Sequence, residues 1–123
     1  MDMNLNDCSN YDQVLKRARY FYGGKDTILL PSTRASKKYM IFDPNASKFI
    51  HFGARGYLDY TKYRQLYDKK TADLHRTRYL NRALNIKGDW MYNAYSPNYL
   101  SILLLWEYEP NIAGGKIFYV IDN

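Results

Sequence analysis

The chain has little cysteine and no long apolar run. Cys8 is its one cysteine, which excludes an intrachain disulfide and a metal site built from several cysteines, and favours a reducing compartment. The longest apolar run, residues 102–106, is far shorter than the roughly 20 residues of a membrane-spanning helix. No basic and apolar segment of the secretory type stands at the start. We therefore expect a soluble protein of intracellular origin without a transmembrane segment.

Residues that carry catalysis or bind metals are also scarce. The chain has two histidines, His51 and His75, and lacks the His-x-x-x-His, Cys-x-x-Cys and calcium-loop patterns. Gly53 and Gly56 follow a predicted strand, but the Gly-Lys-Ser/Thr of a phosphate-binding loop does not follow, so we interpret the pair as a tight turn. The sequence thus predicts no metal site, no cofactor and no small-molecule substrate.

The chain is rich in aromatic residues and in unevenly distributed positive charge. Hydrophobic residues make up 46% of its 123 residues, and 14 residues are tyrosines, which suit half-buried positions and interfaces. Residues 34–87 hold thirteen Lys/Arg against four Asp/Glu, a net charge of +9, whereas the whole chain carries +6. The middle of the chain therefore sets the electrostatics and favours a polyanion or an acidic protein surface as partner.

The periodicities predict one α+β domain over residues 9–123, preceded by a flexible arm at residues 1–8. Apolar residues recur at helical spacing in four segments: roughly 10–22, 59–67, 70–86 and 97–106. Four short runs have strand character: 27–30, 39–42, 49–52 and 117–121. We expect a small, mostly antiparallel sheet of three or four strands packed with three or four helices, with the last and most apolar helix at its centre.

A cationic, tyrosine-rich surface is the strongest candidate site. Its cations are Arg55, Lys62, Arg64, Lys69, Lys70, His75, Arg76, Arg78 and Arg82. The tyrosines among them are Tyr57, Tyr60, Tyr63, Tyr67 and Tyr79. Cations that neutralise phosphates beside rings that stack on bases suit sequence-independent nucleic-acid binding. Because Arg and Tyr are also enriched in protein interfaces, three interpretations stay open: a protein interface, a nucleic-acid interface, and a solvated face whose tyrosines are buried.

An enzyme centred on His51 is a further alternative. His51 lies between Ile50 and Phe52 in a predicted strand, a position typical of a hydrogen-bonded, half-buried histidine. A general base would need an orienting carboxylate, for which Asp59 is the nearest candidate in sequence. Cys8 has no histidine near it in sequence, so we do not interpret it as a nucleophile.

Several short motifs in a fixed order carry a resemblance. They are Lys38-Tyr39, Ile50-His51-Phe52-Gly53-Ala54 with Gly56, Asp59-Tyr60-Thr61, Tyr79 with Arg82, and Leu104-Leu105-Trp106. Over residues 37–106 this pattern resembles a small uncharacterised domain of nucleocytoplasmic large DNA viruses. Tyr63 and Ala83 stand where that pattern often has histidine, which weakens a histidine-based site.

The resemblance implies a virion component and no particular activity. It implies a non-enzymatic minor capsid protein of the cement type, which would contact major and minor capsid proteins and lie in the capsid after synthesis in the host cytoplasm. The predicted strand 117–121 could add to a neighbour's sheet edge. The alternative is a basic nucleic-acid-binding accessory protein of the virus.

Overall fold

A computed structural model describes residues 4–110, which form an α+β domain with an antiparallel sheet, as predicted. Its five α-helices are α1 (Leu5–Cys8), α2 (Tyr11–Tyr22), α3 (Tyr60–Leu66), α4 (Lys69–Ala83) and α5 (Pro97–Leu100). The three strands are β1 (Leu29–Pro31), β2 (Lys37–Asp43) and β3 (Lys48–Ala54). Short 3-10 turns occupy Gly24–Asp26 and Trp90–Tyr92, and α5 continues into a π-helical turn at Ser101–Leu105.

The sheet has the order β1-β2-β3, and both pairs of strands are antiparallel. Tyr39 of β2 lies opposite Phe52 of β3, and both are completely buried with Ile41 on the face toward the helices. The predicted hairpin is therefore confirmed. Strand β1 begins later than the sequence predicts because the Thr27 N–H donates to the Gly24 carbonyl and closes a 3-10 turn. The predicted strand 117–121 lies outside the described residues.

Side-chain caps fix the helix starts. Asn10 accepts from the Gln13 N–H, Asp59 from the Lys62 N–H and Ser96 from the Tyr99 N–H, so each predicted start of a helix has its cap. Asp68 caps α4 in the same way. The described residues contain no helix long and apolar enough to cross a membrane.

Helix α4 ends three residues before the predicted end. The helical spacing predicts a helix that extends to residue 86, whereas the structure ends the helix at Ala83 and leaves Ile86 52% exposed. The Trp90 side chain packs into the core beyond the helix. Its indole N–H donates to the Ile86 carbonyl at 2.6 Å. The helical spacing of apolar residues thus continues beyond Ala83, but the helix ends there because Trp90 contacts the backbone of Ile86.

The predicted apolar helix forms the core but changes its hydrogen bonding. Ile102 and Leu104 are completely buried, and Leu103 and Leu105 nearly so. Burial of each such side chain contributes about 1.5–3 kcal/mol. The Trp106 N–H donates to the Ser101 carbonyl, five residues back, which is the π-helical pattern. This turn widens the helix where it meets the end of β3.

The segment predicted as a flexible arm packs on the domain where it is described. Leu5–Cys8 forms one helical turn, Leu5 packs against the core, and Cys8 has no exposed surface. The Cys8 carbonyl accepts hydrogen bonds from the Lys38 ammonium at 3.3 Å and the Asp59 N–H at 3.2 Å. Backbone contacts with two distant elements therefore hold the segment in place.

Candidate functional site

A buried ion pair lies beneath the candidate site. The Lys38 Nζ is 3.1 Å from an Asp59 carboxylate oxygen, and the two residues are 2% and 0% exposed. The other Asp59 oxygen accepts from the Thr61 hydroxyl at 2.5 Å and the Lys62 N–H at 3.2 Å. Lys38 also donates to the Cys8 carbonyl, so the pair joins the N-terminal turn, β2 and the start of α3.

Thr61 extends this network toward the start of α2. Its hydroxyl oxygen accepts from the Asn10 N–H at 2.9 Å and lies 3.5 Å from the Ser9 hydroxyl. Ser9 and Thr61 are 1% and 2% exposed. The motif that begins at Asp59 is thus structural, because its Asp and Thr supply hydrogen-bonding atoms to a buried polar cluster.

Gly53 sets how closely β3 approaches the π-helical turn. Its φ is +81°, and a Cβ built there would lie 2.8 Å from the Leu105 Cδ1 and 3.2 Å from the Lys38 Cβ. A side chain would therefore clash with the core. Gly56 also has a positive φ, +110°, with nothing within 4 Å of a built Cβ, as suits an exposed turn. The predicted tight turn is confirmed.

An open cleft of about 590 Å³ lies between the turn after β3, helix α4 and the π-helical turn. Its apolar surface includes Leu58, Leu105 and the Trp106 ring. The residues that line it also bring His75, Arg78 and Arg82 from α4, spaced so that they share one side of the helix. No aspartate or glutamate is among the described lining residues, so the cleft is cationic.

Stacked rings form one wall of the cleft. The Tyr63 and His75 rings stack with centroids 4.1 Å apart and planes at 6°, and those of Tyr79 and Trp106 at 4.2 Å and 7°. Tyr63 also lies 6.1 Å from Trp106, which joins the two stacks. Burial raises the pKa of Tyr79 to about 12 and also raises that of Tyr63, so both phenols are neutral at physiological pH.

The arginines of α4 differ in their contacts. Arg76 lies 4.2 Å over the Tyr60 ring, is 3.5 Å from Asp73, and donates to the Glu107 carbonyl at 3.3 Å. Arg82 lies 5.9 Å from the Tyr79 ring centroid. Arg78 is exposed at the cleft and has no ion pair or hydrogen bond within residues 4–110. Arg76 therefore has a structural role, whereas Arg78 can bind a ligand.

The structure brings together some of the predicted site residues. Of the predicted residues, those that line the cleft are Tyr57, Tyr63, His75, Arg78, Tyr79 and Arg82. The remaining predicted residues lie outside its lining: Arg55, Tyr60, Lys62, Arg64, Tyr67, Lys69, Lys70 and Arg76. Lys69 is paired with Asp73 at 2.6 Å, one turn away on the exposed side of α4.

Sequence reasoning missed the far side of the cleft. Leu58, Ser101, Leu105 and Trp106 line it together with the predicted residues. The motif ending in Trp106 was visible in the sequence, but its apolar character predicted only a place in the core. A π-helical turn, which places Ser101 and Leu105 at the cleft, has no simple sequence signal.

A second surface lies where α3 meets α4. We define the α3–α4 corner as Arg64, Leu66, Tyr67, Lys70 and Leu74. Its apolar members Leu66, Tyr67 and Leu74 are 54%, 50% and 40% exposed, and its cations are exposed too. Exposed apolar side chains beside cations are typical of a surface that another protein covers.

The structure does not support the pairing of His51 with Asp59. The His51 Nδ1 is hydrogen-bonded to the Ser32 hydroxyl at 2.6 Å, while the Asp59 oxygens contact Lys38, Thr61 and the Lys62 N–H. Burial, together with the charges of nearby Arg34 and Lys37, lowers the pKa of His51. His51 is thus a hydrogen-bonded, half-buried residue, as predicted. Residues 4–110 hold no cluster of three His, Cys, Asp or Glu that could bind a metal.

The cleft and the corner lie on a domain of α+β fold. Residues 27–83 match the model of a family of unknown function, DUF5754. The matched segment holds the sheet, α3 and α4, and covers a little under half of the 123 residues. No curated protein and no solved structure matches the chain.

Proposed function

We propose that this chain is a non-enzymatic structural protein of a large double-stranded DNA virus particle. It acts as a minor capsid protein of the cement type, in contact with major and minor capsid proteins. The viral assignment rests on the motif pattern between Lys38 and Trp106. The observation that carries the binding role is the α3–α4 corner, where large apolar side chains are exposed among cations.

The corner suits a protein partner better than a bare polyanion. Leu66 and Leu74 would gain free energy from burial against another apolar surface, about 25 cal/mol per Å² covered. A phosphate backbone offers them no such surface. Arg64 and Lys70 would then pair with acids at the rim of the interface, where charges set orientation more than affinity.

The internal contacts also suit a role in which the fold acts as a rigid spacer. The ion pair of Lys38 with Asp59 joins three segments that are far apart in sequence. Buried, hydrogen-bonded polar groups of this kind fix relative positions because a shifted arrangement would leave charges unpaired. The interaction surfaces on α3 and α4 are thereby held in fixed positions.

Purification of intact particles followed by genome release tests the proposal. A capsid protein stays with the empty shells after nuclease treatment and washing. Recovery with the DNA fraction alone would contradict the capsid role. Absence from purified particles would contradict both viral structural roles.

Variants in the corner sharpen this test. In tagged copies expressed during infection, Leu66→Ser/Leu74→Ser should strongly reduce incorporation into particles. The matched control is Ile28→Ser/Ile86→Ser, which alters two side chains of 45% and 52% exposure elsewhere on the domain. Equal incorporation of both double variants would show that the corner is not the contact surface.

Nucleic-acid binding is the second candidate function, and the observation that supports it is the pair of exposed arginines in the cleft, Arg78 and Arg82. Binding should weaken steeply with salt, and Arg78→Gln/Arg82→Gln should lower the slope of log K against log salt. Failure to bind single- and double-stranded DNA at about 50 mM salt, where such binding is strong, would exclude it.

A further inference from the structure

The charges that line the cleft define the sign of its ligand. Arg78 and Arg82 bring two permanent positive charges, and His75 adds an imidazole between them and Tyr63. Lys38, the remaining cation of the lining, is already paired with Asp59. With no described carboxylate to balance the arginines, the ligand is anionic.

The inner rings offer little free face for a nucleobase. Tyr63 contacts three rings, those of His75, Tyr67 and Trp106. Trp106 is stacked on Tyr79 and is 7% exposed. Base stacking needs an open aromatic face. Tyr57, 74% exposed, has a ring that stays accessible.

The apolar part of the lining must also be matched by the ligand. Leu58, Leu105 and Ala54 lie in the same cleft as the arginines. A phosphodiester backbone would place hydrated charges against these carbons and would gain nothing from them. A carboxylate attached to an apolar chain would use both surfaces, because Arg binds carboxylates in a bidentate manner.

We propose that the cleft binds a short segment of a partner protein in which an acidic side chain stands beside apolar or aromatic residues. The carboxylate lies between Arg78 and Arg82, and the apolar neighbours cover Leu58 and Leu105. A volume of about 590 Å³ falls within the range of sites that enclose a compact ligand. This inference rests on the proposed function in taking the partner to be a protein, and it names the chemistry of the recognised segment.

Selection from a random 12-residue peptide library on the immobilised full chain tests the ligand class. We expect enriched peptides to share Asp or Glu next to apolar or aromatic residues. A synthetic copy of an enriched peptide should shift the Trp106 indole N–H signal in a ¹H–¹⁵N spectrum and leave in place that of Trp90, which does not line the cleft. Replacing its acid by the amide should weaken binding by about tenfold or more, since charge-assisted hydrogen bonds are lost.

Two double variants with equal loss of charge locate the binding. Arg78→Gln/Arg82→Gln should abolish peptide binding, whereas Lys16→Gln/Arg19→Gln, which alters two exposed cations of α2 outside both the cleft and the α3–α4 corner, should change the Kd by less than about twofold, as expected for screened charges. An equal loss of peptide binding in both double variants would show that overall charge attracts the peptide and would overturn the proposal. Selected peptides without enrichment in Asp or Glu would also overturn it.

A single-stranded oligonucleotide, dT10, serves as the competing ligand. If dT10 displaces the peptide and binds the cleft more tightly, the site is a nucleic-acid site and the proposal fails. Because these measurements use purified protein, they are independent of where the protein lies in the particle. Peptide binding by a protein absent from shells would sink the capsid role alone, and a shell protein that binds no acidic peptide would sink this inference alone.

Discussion

Lys38 and Arg78 line the same cleft, yet their charges are in opposite situations. The Lys38 ammonium is buried, 3.1 Å from Asp59, and also donates to a backbone carbonyl. The Arg78 guanidinium is exposed and has no ion pair or hydrogen bond among the described residues. One cation is used by the fold, and the other remains available to a partner.

The difference between Lys38 and Arg78 shows which charges are available to a ligand, and a count of charges in the sequence does not show this. Moving an ion out of water costs several kcal/mol, so the buried pair adds little net stability even though breaking it is costly. Its effect is positional, because it holds the N-terminal turn and α3 against β2. Arg78 has lost little hydration and can exchange water for a ligand. Of the thirteen Lys/Arg in residues 34–87, Lys38 is therefore unavailable to a ligand, although its pairing with Asp59 leaves the net charge of +9 unchanged.

The largest expected effect comes from breaking the buried pair. Asp59→Ala should lower the free energy of unfolding by about 3–5 kcal/mol, because it leaves the Lys38 charge buried without a counter-ion and removes the cap of α3. Chemical denaturation of the full chain measures the change.

An exposed ion pair provides the control for Asp59→Ala. The Lys69 side chain is 67% exposed and pairs with Asp73. Lys69→Met breaks this pair and should lower the free energy of unfolding by at most about 1 kcal/mol. If Asp59→Ala were as mild as Lys69→Met, Lys38 would not depend on Asp59 in the folded state.

The second effect compares the two glycines of the turn after β3. Both have positive φ, so alanine costs about 1 kcal/mol of backbone strain at either position. At Gly53 the new Cβ also meets Leu105 at 2.8 Å, which adds about 1–3 kcal/mol of overpacking. Gly53→Ala should therefore lower the melting temperature clearly more than Gly56→Ala. Equal shifts would mean that the π-helical turn yields to the added methyl group.

Sequence patterns were sufficient where local rules decide the structure. The hairpin was predictable because alternation over 39–42 and 49–52 puts Tyr39 and Phe52 on one face around a turn-rich linker. The start of α5 was predictable because Ser96 caps it and Pro97 tolerates the first position. The spacing of His75, Arg78 and Arg82 is sufficient to place them on one side of a helix, and this is the side of α4 that lines the cleft.

Contacts between distant segments account for what sequence patterns missed. Nothing local distinguishes Lys38 from its neighbour Lys37, yet the position of Lys38 beside Asp59 and Cys8 makes it buried. The packing of Leu5–Cys8 depends on the same contacts. No local pattern indicates that the hydrogen-bond partner of His51 is Ser32, because Ser32 comes from the loop after β1.

Alkaline pH should lower the free energy of unfolding through the raised pKa of Tyr79, by less than the loss expected for Asp59→Ala. Burial raises the pKa of Tyr79 to about 12, above its unfolded value of about 10, so the folded state retains the phenolic proton longer. This contribution, about 2 kcal/mol, is complete below pH 10 and is lost as the pH rises toward 12. Tyr79→Phe should flatten the fall in stability between pH 10 and 12. An unchanged pH profile would mean that Tyr79 titrates normally.

The smallest expected effect on stability belongs to the open cleft. Arg78→Gln/Arg82→Gln removes a like-charge repulsion of about 0.2–0.5 kcal/mol and one weak contact with the Tyr79 ring, worth about 0.5–1 kcal/mol, and the two effects have opposite signs. We expect the free energy of unfolding to change by less than about 0.5 kcal/mol. Lys38→Gln, which removes half as much charge, should be far more destabilising because it strands Asp59 in the core. A large loss of stability in the double arginine variant would instead assign both arginines to the fold and leave the cleft without free cations for a ligand.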